Sequence, residues 1–193
     1  MAITDIEQVY VTTRQEWRKW LSENHAKKPG VWLIQYKKNT GKPTLTWSEA
    51  VDEALCFGWI DSIKKKLDEE STIQFFSKRK PRSTWSKINK EKVNRLIAHG
   101  LMMQAGFDGI ETAKQNGCWT MLDDVEELKI PQDLITAFER YNGSKSYFDS
   151  LSKSSRKAIL HWLVLAKRPE TRLKRIGEIA TLAGQNRKPK QFQ

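Results

Sequence analysis

Apolar positions recur along this chain at two spacings. Up to residue 88, helical stripes alternate with short β-rich runs, and from Asn89 onward only the helical spacing remains. Thr13-x-x-Glu16 is a capping box, because a threonine hydroxyl can accept from the backbone three residues on while the glutamate reaches back. It opens a helix with Trp17, Trp20 and Leu21 on one face, ending near His25, before Lys28-Pro29-Gly30 breaks the chain. Residues 31–36, β-branched and aromatic, predict a strand, and residues 39–43 a turn. A second capping box, Thr46-x-x-Glu49, starts a helix that turns Trp47, Val51, Ala54 and Leu55 inward and stops at Gly58. Residues 59–63 and 72–76 predict two further strands at hairpin spacing, with the first strand lying across a helix from them.

The second half carries stripes at Val93, Leu96 and Ile97, then at Met103, Phe107 and Ile110. Pro131 reads as a first-turn proline for a helix with Leu134, Ile135 and Phe138. Tyr147, Phe148 and Leu151 follow, then a face of Ile159, Trp162, Leu163 and Ala166. Pro169 starts a last helix with Leu173, Ile176, Ala180 and Ala183, and residues 185–193 read as a frayed tail. The expected class is α+β, a small antiparallel or mixed sheet with packed helices followed by an all-helical C-terminal region. The polar, acidic run 123–127 suggests a boundary, giving a core domain over 1–120 and a helical region over 121–193 packed on it.

Composition narrows the function classes. No apolar run approaches the roughly 18–20 residues that span a bilayer. The N-terminus lacks the basic and apolar regions of a signal peptide, so a cytoplasmic protein is expected. Cys56 and Cys118 are too few and too distant for a disulfide framework. The three histidines show no metal-ligand spacing, and no cofactor motif occurs. The formal net charge of +11 is local: residues 151–193 carry 11 Lys/Arg against two acids and residues 62–95 carry 11 against four, leaving −5 for the rest. Two basic blocks fit either a polyanion or a solvated surface.

The chemistry concentrates in residues 55–89. Arg79 and Arg82 bracket Pro81 among Lys78 and Lys80, and a guanidinium presents a planar fork suited to phosphate or carboxylate. Ser83, Thr84 and Ser86 precede a helix start, where free N–H groups favour an anion. Trp85 has two roles open to it, stacking on a flat ligand ring or plugging the core. Asp61, in apolar company, needs a partner, and Lys64 or an arginine of 79–82 is the expected one. It is then a structural ion pair or, alternatively, a general base. Cys56 at a helix end reads as a buried, unreactive thiol. The ligand-binding set is therefore Trp59, Asp61, Lys64, Phe76, Arg79, Arg82, Trp85 and Ser86, with no catalytic residue unless Asp61 is one. Arg168, Arg172 and Arg175, widened by Lys174, form a basic stripe on the last helix for contact with a polyanion.

The segments ALCFGWIDS at 54–62, FSKRKPRSTWSKIN at 76–89 and AKRPETRLKRIGEI at 166–179 resemble the YdeI/OmpD-associated family, also described as bacteriocin-protection or OmdA-like. The resemblance spans nearly the whole chain, in the same order. It implies bacterial origin and a stress or antimicrobial-resistance setting, and it brings no reaction, cofactor or catalytic residue. Three functions follow: a non-enzymatic anion-binding protein, with weak nucleic-acid binding as one form; an enzyme or carrier for a small phosphorylated or carboxylated ligand; and a protein-interaction module.

Overall fold

The computed structural model of the chain describes residues 6–193. It divides them into two compact units, one ending at Trp119 and the other spanning Thr120–Gln193. The first is α+β. Its elements run β1 (Gln8–Tyr10), α1 (Arg14–Asn24), β2 (Gly30–Tyr36), α2 (Trp47–Cys56), β3 (Trp59–Lys66), β4 (Ser71–Lys78), α3 (Lys87–Ala98) and α4 (Gln104–Gln115). The sheet is mixed, in the order β1-β2-β4-β3. β1, too short to show a period in the sequence, pairs parallel to β2 through Val9↔Leu33. β2 lies directly against β4, with Leu33 opposite Gln74, so the first predicted strand joins the hairpin instead of standing across a helix from it. β3 and β4 form the expected hairpin, with a register shift between Asp61 and Lys64.

Both caps form. Thr46 and Glu49 make the full reciprocal box, whereas Thr13 accepts from Glu16 N and the Glu16 carboxylate reaches one residue further, to Thr12 N at 2.8 Å. β2 buries Val31, Trp32 and Leu33 in succession, and Phe76 of β4 meets Trp17 of α1 at 5.5 Å between ring centroids. Trp17 and Trp59 bury completely because each indole N–H finds a carbonyl, Ala50 O and His25 O, both at 3.1 Å. Trp47, expected inside, is 45% exposed. As the first residue of α2 it lies over the strand edge, where its Nε1 donates to Asp61 at 2.8 Å. Met103 and Phe107 are also exposed, since their helix α4 buries Gly106, Ile110 and Ala113 instead.

α2 carries two buried acids, Asp52 and Glu53. Asp52 accepts from Lys92 at 2.6 Å and from Arg95 at 2.5 Å, both on α3, while Glu53 accepts from Arg14 at 2.7 Å and Arg18 at 2.8 Å on α1. Every carboxylate oxygen is matched by a cation, which is what makes two charges tolerable at this depth.

The second unit is helical: α5 (Asp123–Glu126), α6 (Gln132–Phe138), α7 (Ser144–Ser150), α8 (Lys153–Val164) and α9 (Pro169–Gly184). Leu134, Phe138, Phe148, Ile159, Leu163, Ile176 and Ile179 form its core. Pro131 sits at the extended N-cap of α6, one residue before the first turn. Leu173, expected to anchor α9, is 69% exposed, and Ile176, Ile179, Ala180 and Ala183 do the anchoring. The tail is not frayed. Its Lys190–Phe192 turn docks through Lys190 N to Glu178 at 3.0 Å and through Phe192 against Trp162. No helix among the described residues is long and apolar enough to cross a membrane.

Candidate functional site

The chain reverses at Gly58, in a left-handed conformation at φ +71° that lets α2 pass straight into β3. A Cβ there would lie 2.6 Å from Ala105 O, and one on Gly106 would lie 2.6 Å from Cys56 O, so two glycines let α4 press onto the end of α2. β4 ends beside this junction, with Arg79 N donating to Gly58 O at 2.9 Å. The loop that follows is tied down by Asn116 Nδ2, which donates to Pro81 O at 2.7 Å. Between these elements lies a cavity of about 400 Å³, lined by His25, Phe57, Gly58, Lys78, Arg79, Lys80, Trp85, Ala105, Asp108 and Gly109 among others. That size falls within the range of small-molecule sites, roughly 300–1,000 Å³.

Arg79 lines this cavity. Its Nη1 donates to Thr84 O at 2.9 Å and Ser83 Oγ at 3.1 Å, and its guanidinium lies 3.8 Å from the centroid of the Trp85 ring. Trp85 is buried and tilted against Trp119 at 5.0 Å, so it plugs the core and serves as the bed on which the guanidinium rests. Arg79 Nε and Trp85 Nε1 are buried with no hydrogen-bond partner in the protein. Among the described residues no carboxylate pairs with Arg79. Burial strips solvent from the cation and pulls its pKa down to about 10, against the opposing charge of Asp61.

Two neighbours add polar groups of the other kind. His25 Nδ1 lies 2.8 Å from Leu21 O, and because a carbonyl only accepts, that nitrogen carries the proton and Nε2 is an acceptor in the neutral ring. Asp108 Oδ1 accepts from Gln104 at 2.7 Å, and Asp108 has no cationic partner among the described residues.

The remaining sequence candidates scatter. Arg82 is exposed and does not line the cavity; Lys78 and Lys80 line it instead. Trp59 and Phe76 are fully buried in the core. Ser86 caps α3, accepting from Asn89 N at 3.3 Å. Lys64 is exposed on β3. Asp61 makes no ion pair with Lys64 or the 79–82 arginines; it accepts from Trp47 at 2.8 Å and Gln74 at 3.3 Å. Cys56 is fully buried, and burial pushes its thiol pKa up. On α9 the stripe is partly spent. Arg172 holds Asp133 through Nε at 2.6 Å and Nη2 at 3.0 Å, and Arg175 stacks on Trp162 at 4.7 Å, leaving Arg168 and Lys174 exposed. Among the described residues no group of three or more His, Cys, Asp or Glu side chains is placed to hold a metal ion.

His25, Phe57, Asp108 and Gly109 were not singled out in the sequence, because they come from three separate elements and share no motif. Gly109 alone left a trace, as a glycine inside an otherwise helical run.

A family model described as "Domain of unknown function (DUF8412)" matches residues 9–109. A second, described as "Bacteriocin-protection, YdeI or OmpD-Associated" (OmdA), matches residues 127–186. Of the three segments that carried the resemblance, 166–179 lies inside the OmdA match, while 54–62 and 76–89 lie inside the other. No curated protein and no solved structure matches the chain.

Proposed function

The chain belongs to the family described as a domain of unknown function (DUF8412), with an OmdA domain over residues 127–186, and from that premise we propose that the unit ending at Trp119 binds a small phosphorylated or carboxylated molecule on Arg79. The observation that carries this reading is a mostly buried guanidinium on a cavity wall, stacked and hydrogen-bonded in place yet paired with no carboxylate. A buried charge without a counter-charge costs stability, and an anion entering the cavity would supply the missing one. Lys78 and Lys80 extend the positive wall, and the bacteriocin-protection description supplies a resistance setting for such binding.

The test is calorimetric titration of the full chain with inorganic phosphate, pyrophosphate and citrate at fixed ionic strength. Saturable binding is expected, weakened about 10- to 100-fold in Arg79→Met, the range that loss of charge-assisted hydrogen bonds gives. Equal binding by the variant, or none by either protein, would sink the reading.

A second reading, sequence-tolerant nucleic-acid binding, is favoured by Lys64, Arg82, Arg168 and Lys174. All four are exposed and none makes an ion pair among the described residues. Labelled DNA or RNA bound with a steep salt slope, flattened by Lys64→Ala/Arg82→Ala and indifferent to Arg79→Met, would support this reading over the first.

A further inference from the structure

The cavity at Arg79 is not uniformly positive. Arg79, Lys78 and Lys80 line it together with Asp108 of α4 and with His25, whose Nδ1 is committed to Leu21 O. Asp108 is held by a single neutral donor, the Gln104 amide at 2.7 Å, so its second carboxylate oxygen is uncommitted. The acid whose charge opposes the fall of the Arg79 pKa is Asp61, outside the cavity lining, and the exposed Asp108 makes no ion pair with Arg79. A cation and an anion therefore share one cavity without neutralising each other. The wall also carries Ala26, Phe57, Gly58, Ala105 and Gly109, an uncharged lining suited to a short hydrocarbon linker.

Resting on the anion reading of the same site, we infer that the ligand is a small zwitterion. Its phosphate or carboxylate pairs with Arg79, and its protonated amine donates to Asp108, with His25 Nε2 as a further acceptor. The amine is the discriminating group: a plain anion of the same length leaves Asp108 unpaired beside a negative guest, whereas an aminated one supplies the charge-assisted partner.

Two matched pairs of probes test this by calorimetry on the full chain: O-phosphoethanolamine against ethyl phosphate, and 4-aminobutyrate against butyrate. In at least one pair the aminated member is expected to bind about tenfold or more tightly than its partner, as one charge-assisted hydrogen bond implies. In Asp108→Asn that preference should fall to near unity while the plain anion binds at least as well as before. Arg79→Met should weaken both members. Binding of the plain anions without preference for the amines, or a preference that survives Asp108→Asn, overturns the zwitterion and leaves the anion site standing. Failure of all four probes, or binding unaffected by Arg79→Met, overturns both.

Discussion

The first unit handles buried charge in two opposite ways. Where α1, α2 and α3 meet, Asp52 and Glu53 are each held by two cations, and nothing charged at that depth lacks a partner. At the α2–β3 junction Arg79 is stacked on Trp85 and hydrogen-bonded by neutral oxygens, yet no acid neutralises it. The same chain thus builds buried salt bridges where three helices must be locked together and leaves one uncompensated charge where a cavity opens. The first arrangement ties the fold together, and the second is the feature on which the proposed anion site rests.

Breaking the compensated cluster should have the largest effect. Asp52→Ala strands the buried ammonium of Lys92, and urea unfolding is expected to show a loss of about 3–5 kcal/mol. A loss below about 1 kcal/mol would erase the contrast, since that is the value of an exposed pair. Arg79→Met should move stability the other way or not at all, because it removes a charge with no counter-charge; a clear drop in the thermal midpoint would make Arg79 a structural residue like the others.

The pH dependence sharpens the same point. Burial holds the Arg79 pKa near 10, well below the ordinary guanidinium range, so the folded protein releases this proton before the unfolded chain does. The fold bears the cost of the charge at all lower pH and is relieved of it as pH rises above about 10. On the proposed reading, anion affinity is expected to run oppositely, full at neutral pH and fading as pH rises through about 10, where the guanidinium loses its proton. Titrations of inorganic phosphate between pH 7 and 11 should show this fall, and the part of it due to Arg79 should be missing in Arg79→Met.

The smallest effect is expected at Gly109. A Cβ there would meet nothing nearer than Gly58 Cα at 4.0 Å, so alanine fits. Gly109→Ala should stabilise α4 by up to about 1 kcal/mol, the helix cost of glycine. Gly109→Leu should fold equally well and block the cavity, and undiminished phosphate binding by it would place the anion elsewhere.

Much of the local structure was legible from residue order. Thr46 and Glu49 cap a helix ahead of an apolar stripe, and β3 and β4 pair as the hairpin that their spacing predicts. Those devices act within a few residues, so nothing distant can override them. β1 was missed because three residues carry no period. Trp47 and Leu173 were assigned to the core on apolarity alone, although exposure depends on which neighbour an element meets.

The site shows the same division. That residues 55–89 gather arginines, lysines, aromatics and one acid came from composition and spacing. Arg79 and Arg82 are equivalent by those measures, three residues apart in one basic loop. Only the tertiary structure separates them, because Thr84 O, Ser83 Oγ and the Trp85 ring hold one guanidinium at a cavity while its neighbour stays in solvent. Asp108 and His25 enter by the same route, since α4 and the end of α1 reach the cavity only after the two glycines let the helix ends close. Caps, stripes and turns are short-range physics that a sequence states directly; desolvation is a property of everything packed around a group, and it exists only once the chain has folded.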